Sequence, residues 1–172
     1  MSYRLRPSSL ADQAGIHQVY RAAARQGGGL LRREDEITNG YIRHNLENSL
    51  RIGLSLVAQA DDGRILAEIH AWPSETRQLG HCLTNLTVAV DPVAQGRGIG
   101  RALLAHLIAA AKANPKFRII ELYCREDNRR AIDLYQSLGF VFEGRLKGRV
   151  WQGDGKPYLD DLLMALYLTM GA

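Results

Sequence analysis

The sequence contains few cysteines and no long apolar segment, and both shortages exclude whole classes of protein. Its two cysteines, Cys82 and Cys124, form neither a C-x-x-C pair nor any other metal-binding or redox spacing. We therefore predict two reduced, buried thiols in a cytoplasmic protein without a metal site. No apolar run approaches the roughly 18 residues of a membrane helix, and the first ten residues lack the apolar stretch of a signal peptide. We expect no membrane partner.

Clustered positive charge is also missing. The chain has 22 Lys and Arg against 18 Asp and Glu, and the basic residues are scattered instead of forming a run. Without an aromatic and basic platform, nucleic-acid binding is not expected. Arginine is the dominant cation and suits carboxylate or phosphate groups, so the composition permits an anionic cofactor. The length of 172 residues, 46% of them hydrophobic, predicts a single domain over residues 1–172.

The hydrophobic pattern predicts a mixed α/β domain on one sheet, in the order β-α-α-β-β-β-α-β-α-β-β. At least one strand-helix-strand crossover should place parallel strands at its centre. Helices are expected between Asp12 and the triple glycine at 27–29, at about 35–50, from the glycine loop to Asn114, and at 128–138. The second helix is weak, because Asn39-Gly40 interrupts it. Strands are expected at 3–6, 54–58, 65–69, 82–90, 117–123, 140–143 and 158–168.

The most informative segment is a glycine-rich loop that opens directly into a strong helix. It follows a strand that ends at Val90, and it comprises Gln95-Gly96-Arg97-Gly98-Ile99-Gly100-Arg101. Glycines allow unusual backbone angles and close approach to a ligand, while the free N–H groups and dipole at a helix start favour an anion. The spacing fits neither the dinucleotide fingerprint G-x-G-x-x-G nor a Walker loop. An ordinary tight strand-to-helix turn is the alternative to a phosphate site.

Two motifs in this order resemble those of the GNAT superfamily of N-acetyltransferases. The loop matches the pattern Q/R-x-x-G-x-G/A, and Asn128, Ala131, Tyr135 and Gly139-Phe140 match N-x-x-A-x-x-x-Y-x-x-x-G-F downstream. The resemblance covers about residues 65–168 well and the N-terminal third loosely. It implies a single-domain GNAT-like acyl-CoA N-acyltransferase fold, with a mixed central sheet whose splayed central strands hold the pantetheine arm of acetyl-CoA.

The resemblance also implies roles for individual residues. Main-chain groups at Val88, Ala89 and Val90 should bind the acetyl carbonyl and the pantetheine amides. The pyrophosphate should lie on the N–H groups of the glycine loop, with charge from Arg97 and Arg101; the complete set is Gln95, Gly96, Arg97, Gly98, Ile99, Gly100 and Arg101. Asn128 should contact the pantetheine arm, although an N-cap role is an equal alternative.

Tyr135 is the candidate general acid that protonates the departing thiolate, the alternative being a half-buried core tyrosine. The general base is missing from the positions that the family favours, which here hold Cys82, Thr84 and Tyr123. The remaining candidates are water and Glu68, His70, His81, Asn85 and Glu121. Glu68 and His70 share a strand face and could relay a proton through water. Our expectation from sequence is that water or solvent deprotonates the amine.

We therefore predict direct acetyl transfer from acetyl-CoA to the primary amine of a small molecule such as an amino acid, an antibiotic or a polyamine. Asp160-Asp161 could bind a cationic acceptor or form a surface pair at a strand start. The alternatives are a protein or peptide N-terminal acetyltransferase and a non-catalytic coenzyme A-binding sensor. By family analogy alone, a homodimer is plausible.

Overall fold

The computed structural model describes residues 2–27 and 29–168 of the chain. Seven strands and four helices follow one another in the predicted order. They are β1 (Tyr3–Pro7), α1 (Gln13–Gln26), α2 (Asn39–Ile52), β2 (Leu54–Ala60), β3 (Ile65–Pro73), β4 (Cys82–Val90), α3 (Ile99–Ala113), β5 (Ile119–Arg125), α4 (Arg129–Ser137), β6 (Val141–Val150) and β7 (Leu159–Tyr167).

All seven strands form one mixed sheet in the order β1-β2-β3-β4-β5-β7-β6. Every neighbouring pair is antiparallel except β4 and β5 at the centre, which are parallel. The parallel pair arises because α3 crosses over between the two strands, as the sequence predicts. The fold class, a mixed sheet flanked by helices, is confirmed.

Several predicted boundaries were wrong, and two of them were wrong for identifiable reasons. Asn39 and Gly40 do not interrupt the second helix but form its first residues, and the side chain of Thr38 caps it by accepting a hydrogen bond from the Tyr41 N–H at 3.1 Å. Helix-disfavouring residues cost little at a helix start, where the N-cap supplies the missing bond. Strand β6 continues to Val150, well past the predicted end at residue 143, because it pairs with β7 as far as Val150↔Leu159.

Helices cover both faces of the sheet and create two apolar clusters. Helices α1 and α2 contribute one cluster, in which Tyr20 and Ile42 are fully buried against Val57 and Ala89 of the sheet. The other cluster forms around α3, whose leucines at 103, 104 and 107 are completely buried, and it includes Tyr135 of α4. The amphipathic spacing of α3 thus produces the core that fixes the glycine loop at its N-terminus.

The C-terminal ends of α1 and α2 are both at glycines. Gly27 ends α1 with φ 78°, a value that favours glycine, while Gly28 of the predicted triple glycine lies outside the described residues. Gly53 ends α2, and a Cβ there would stand 2.1 Å from the Ala71 carbonyl oxygen and 2.7 Å from Trp72 Cα. This close approach brings the end of α2 against β3. Within the described residues, no helix is long and apolar enough to cross a membrane.

Candidate active site

A gap between the two central strands opens a large cleft. Strands β4 and β5 pair only at Cys82↔Ile119 and Leu83↔Ile120, and beyond these two pairs they diverge. Residues 84–90 of β4 and 122–125 of β5 then line a cleft of about 1310 Å³. This volume exceeds the roughly 300–1,000 Å³ of a typical small-molecule site, so the cleft has room for a cofactor and an acceptor together.

The glycine loop forms one end of this cleft. Gly96 and Gly98 both have φ 75°, and an added Cβ at either position would meet no atom within 4 Å. Glycine is therefore favoured at both positions by the positive φ and not by a lack of space for a side chain, and the surface of the loop is open. The Ala102 N–H makes the first helical hydrogen bond, to the Gly98 carbonyl at 2.9 Å, so the N–H groups of residues 99–101 precede the helical ladder. These groups and the helix dipole can bind an anionic group.

The structure brings nearly all predicted cofactor residues to the same cleft. Ten of the eleven line it: Val88, Ala89, Val90, Gln95, Gly96, Gly98, Ile99, Gly100, Arg101 and Asn128. Arg97 does not line it. The Arg101 guanidinium donates to Ser137 Oγ at 2.7 Å and thereby ties the start of α3 to the end of α4. The Gln95 amide donates to the Val90 carbonyl at 3.3 Å, which closes the loop onto the strand before it.

Helix α4 borders the cleft on the side of β5. Asn128 caps this helix by accepting a hydrogen bond from the Ala131 N–H at 3.2 Å, while it also lines the cleft. The N-cap alternative for Asn128 is therefore correct, and contact with a ligand stays compatible with it. The ring of Tyr135 packs against Phe140 at 5.7 Å between centroids, but its hydroxyl makes no hydrogen bond to any described residue. Burial raises the pKa of Tyr135 and keeps the phenol protonated.

The opposite end of the cleft is aromatic and lies under α1 and α2. His70 and Trp72 of β3 line it with Tyr41 and His44 of α2, and the His44 ring meets the Trp72 ring edge-on at 6.1 Å. Asn45 is 4% exposed, and its Nδ2 has no hydrogen-bond partner within the described residues although it lines the cleft. A buried donor without a partner is costly, so this atom is suited to a ligand oxygen.

The segment before α2 covers this aromatic end and is anchored to α1. Glu34 accepts hydrogen bonds from Arg25 and Arg21, which together lower the pKa of the Glu34 carboxyl to about 2. His17 Nε2 lies 2.9 Å from the Ile37 carbonyl oxygen. Further along the segment, the Arg32 guanidinium stacks 4.2 Å above the Tyr41 ring, at the cleft wall.

Beneath the aromatic end is a buried polar network around Glu68. This carboxylate, 1% exposed, accepts hydrogen bonds from Tyr20 Oη at 2.7 Å and from Ser55 Oγ at 2.8 Å. His70 Nδ1 lies 3.0 Å from Glu68 Oε2 and 3.1 Å from Oε1. Burial and the neighbouring Glu68 charge raise the pKa of Tyr20, so this phenol stays a donor. Glu68 and His70 lie on the same face of β3, as alternation along the strand predicts. Their side chains are in direct contact, whereas the sequence suggested a relay through water.

The other candidate bases occupy different surroundings. His81 is exposed and lines a separate depression beside Arg51 and Lys116. Glu121 does not line the cleft and lies beside the Cys82 thiol, whose pKa is raised to about 12 chiefly by burial and further by Glu121. Asn85 does line the cleft, with its amide donating to the Trp72 carbonyl at 3.3 Å. An amide is not basic, so His70 is the one imidazole or carboxylate among these candidates that reaches the cleft.

Asp160 and Asp161 have separate roles. Asp160 pairs with Arg145 at 2.9 Å and accepts the Gly148 N–H at 2.8 Å, which links β7 to β6. The surface-pair interpretation of Asp161 was wrong, because this residue is only 2% exposed. Its Oδ1 has no partner within the described residues, and Oδ2 stands 3.7 Å from Arg149 Nη1. Both cysteines are buried free thiols, as predicted.

A splayed parallel pair of strands, a glycine loop at the start of α3 and a tyrosine on α4 form one arrangement, and comparisons with known proteins identify its family. The acetyltransferase (GNAT) family model matches residues 16–140. The chain belongs to this family. A curated relative, the N-alpha-acetyltransferase RimI of Mycobacterium tuberculosis, is 42% identical over 69 residues, which are 40% of this chain and 40% of that protein. The chain thus spans well under two thirds of that relative's length.

Two solved structures of the family superpose on nearly the whole chain. A ribosomal-protein-alanine N-acetyltransferase from Brucella melitensis has a TM-score of 0.83 and 29% identity, and covers 96% of this chain and 99% of its own. A phosphinothricin acetyltransferase from Sinorhizobium meliloti in complex with AcCoA has a TM-score of 0.84 at 24% identity, covering 98% and 89%. The second likeness shows the fold alone.

Several residues in or beneath the cleft could not be assigned from the sequence. Tyr20 and Ser55 were seen only as helix and strand positions, because their contacts with Glu68 join segments far apart in sequence. Arg149, whose guanidinium lies 4.5 Å above the Tyr123 ring at the cleft, belongs to the part of β6 that was not predicted. One signal was available for Tyr20: it is a polar aromatic on the apolar face of α1, where a buried hydroxyl needs a partner.

Proposed function

We propose that the chain is an N-acetyltransferase that moves the acetyl group of acetyl-CoA directly to the primary amine of a small molecule. The observation that carries this proposal is the continuous cleft, which leads from the glycine loop through the gap between β4 and β5 to the aromatic end. The loop would bind the pyrophosphate, and the unpaired edge of β4 at 88–90 would bind the pantetheine amides and polarise the acetyl carbonyl.

Tyr135 would act as the general acid in this scheme. Its hydroxyl has no partner among the described residues, and its ring is held by Phe140 and by the core around α3. A neutral phenol can give its proton to a departing thiolate. Two other side chains of the site position α4: Asn128 caps its start, and Arg101 donates a hydrogen bond to Ser137 at its end.

The charge of the cleft favours an acceptor that carries a carboxylate or a similar anionic group beside its amine. Five arginines, at 32, 101, 125, 130 and 149, line the cleft against one described carboxylate, that of Glu36; of these arginines, Arg125 is paired with Asp127 beside the cleft. A polyamine would meet net repulsion from this lining. At the aromatic end, the Asn45 Nδ2 and the Arg32 guanidinium are donors suited to an oxygen acceptor. An α-amino acid fits this chemistry best.

A peptide N-terminus is the second candidate acceptor. The relative from Mycobacterium tuberculosis and the structure from Brucella melitensis both carry names of N-terminal or ribosomal-protein acetyltransferases. The aromatic end is covered by the anchored segment at residues 30–37, and this favours a short acceptor over an extended peptide. The cytoplasmic location and the homodimer stay predictions.

A thiol-release assay with acetyl-CoA tests the proposed function and ranks the acceptors. We expect acceleration by one or more α-amino acids, weaker acceleration by short peptides and none by spermidine-type polyamines. Strong acceleration by peptides alone would establish the second candidate. Acetyl-CoA binding by calorimetry without acceleration by any amine would contradict the enzyme proposal and favour a coenzyme A-binding sensor.

A further inference from the structure

We propose that His70 is the general base that deprotonates the acceptor amine, and that Glu68 positions it. This inference rests on the proposed acetyl transfer and departs from the sequence-based expectation that water alone removes the proton. It is carried by the buried Tyr20–Ser55–Glu68 network described above, which holds the imidazole in one orientation at the aromatic end of the cleft.

The hydrogen bonds of the network determine which imidazole nitrogen carries the proton. An ionised carboxylate only accepts hydrogen bonds, so each group that contacts Glu68 must donate to it. Tyr20 and Ser55 donate their hydroxyl protons, and Ser8 Oγ, 2.6 Å from Ser55 Oγ, can then donate to Ser55. His70 Nδ1 also lies 3.3 Å from Tyr20 Oη, whose one proton is already given to Glu68, so both neighbours of Nδ1 accept and the proton of a neutral His70 belongs on Nδ1. Its Nε2 keeps the lone pair that a base needs, as in other dyads of a carboxylate and a histidine.

The position of His70 in the sheet places Nε2 where it can serve the reaction. His70 pairs across the sheet with Thr87, the residue before Val88, where the acetyl carbonyl is proposed to bind. Neighbouring strands are about 4.8 Å apart, so His70 belongs to the strand immediately beside the proposed acetyl site. His70 lines the cleft although it is only 3% exposed, and its Nε2 makes no hydrogen bond to a described residue. An acceptor amine between His70 and Val88 would reach both.

Few other charges act on this imidazole. From α1, Tyr20 faces it with its ring 6.1 Å away, and from its own strand Glu68 and Trp72 contact it. From α2, Tyr41 packs against Tyr20, and His44 packs against Trp72. The Arg32 guanidinium stacks on the Tyr41 ring and brings a cation to this aromatic group. Among the described residues, Glu68 is the one carboxylate in direct contact with the imidazole.

The proton and bond changes balance without any further reactant. His70 Nε2 takes one proton from the ammonium group of the acceptor, and the freed lone pair attacks the acetyl carbon. The C–N bond forms while the C–S bond breaks, and Tyr135 gives its proton to the sulfur. The amide nitrogen loses a second proton, which restores Tyr135 directly or through water. His70 then releases its proton to solvent, so one proton ends on the thiol and the other in solution.

The first experiment uses the unmodified protein and compares two acceptors of different basicity. We would measure kcat/KM against pH for an amino acid and its amide from those active in the thiol-release assay, beginning with alanine and alaninamide. A histidine base predicts a bend between about pH 5 and 8 at the same pH for both acceptors. A bend that moves with the basicity of the acceptor would overturn the proposal and restore water as the base.

The second experiment uses matched variants. His70→Gln and Glu68→Gln should each lower kcat/KM by roughly 10²–10⁴ near neutral pH, with acetyl-CoA affinity within a few-fold of the parent. His81→Gln is the control, because His81 lies exposed outside the cleft, and it should keep the parent activity. Parent-like activity in the folded His70→Gln protein would refute the base assignment. If His70→Gln does not fold, the two-acceptor comparison still decides.

A third measurement separates positioning by Glu68 from a structural role. Nitrogen-15 NMR of histidine-labelled protein should show neutral His70 with its proton on Nδ1, and Glu68→Gln should move it to Nε2, because the amide can donate to Nδ1. A proton on Nε2 in the parent would overturn the assignment. This readout needs no acceptor, so it distinguishes a failed base assignment from a failed enzyme proposal, which the thiol-release assay tests alone.

Discussion

Replacement of Gly98 by valine should abolish acetyl-CoA binding while the protein stays folded. Gly98 has φ 75°, a conformation that a β-branched residue rarely adopts, and it precedes the first helical turn of α3. Valine would therefore rotate the peptide groups at the start of the helix and would place a branched side chain on the open surface of the loop. Both changes disturb the N–H groups that are proposed to bind the pyrophosphate.

The size of the effect follows from the number of hydrogen bonds at stake. Residues 99–101 present three N–H groups ahead of the helical ladder. A hydrogen bond to a charged group contributes about 1.5–3 kcal/mol, so the loss of two weakens binding by about 3–6 kcal/mol. At about 1.4 kcal/mol per factor of ten, the Kd for acetyl-CoA should rise by roughly 10²–10⁴. Backbone strain should cost the fold about 1–3 kcal/mol in addition.

Gly155→Val is the matched control for this strain. Gly155 has φ 74°, an added Cβ would likewise meet no atom within 4 Å, and it lies outside the cleft. Calorimetric titration and thermal unfolding of both variants separate the two effects. We expect similar losses of Tm in both and loss of acetyl-CoA binding only in Gly98→Val. Binding within a few-fold of the parent in folded Gly98→Val protein would refute the pyrophosphate assignment.

Two further substitutions test single side chains of the cleft region. Tyr135→Phe should lower kcat by roughly 10²–10⁴ with little change in Tm, because the hydroxyl makes no hydrogen bond to a described residue; a changed Tm with parent kcat would identify a core tyrosine instead. Burial raises the pKa of Asp161, so the native state holds the proton more tightly and stability falls as pH rises through the unfolded and then the folded pKa. Asp161→Asn removes this cost and should raise Tm at pH 7 but not at pH 3, and a lower Tm at pH 7 would show that the carboxylate is needed.

Local signals predicted most of the framework. The order of the elements and the bounds of β4 followed from alternation, helical spacing and the Asp91-Pro92 turn, all of which act within a few residues. The extension of β6 to Val150 could not be predicted, because its residues are mostly exposed and their strand conformation is imposed by pairing with β7. The start of α2 was misread because the cap at Thr38 outweighs the poor helix propensity of Asn39 and Gly40.

The candidate site divides in the same way. The glycine-loop end was predictable, since the loop and the residues around Tyr135 are contiguous motifs. The aromatic end was not, because Tyr20, Ser55 and Glu68 come from three separate elements and meet only through tertiary packing. Glu68 and His70 were placed on one face by strand alternation, but their burial and direct contact depend on helices α1 and α2 above them.

Because two residue pairs join β4 to β5, the sheet consists of two half-sheets that are weakly connected along a central seam. A cofactor that fills the seam would bridge both halves, so its binding free energy would add to the resistance of the whole domain to unfolding. At a free acetyl-CoA concentration 100 times its Kd, binding would add about 2.7 kcal/mol to the free energy of unfolding. The lifetime of the protein in the cell would then follow the supply of acetyl-CoA, with turnover by proteases fastest when the coenzyme is scarce.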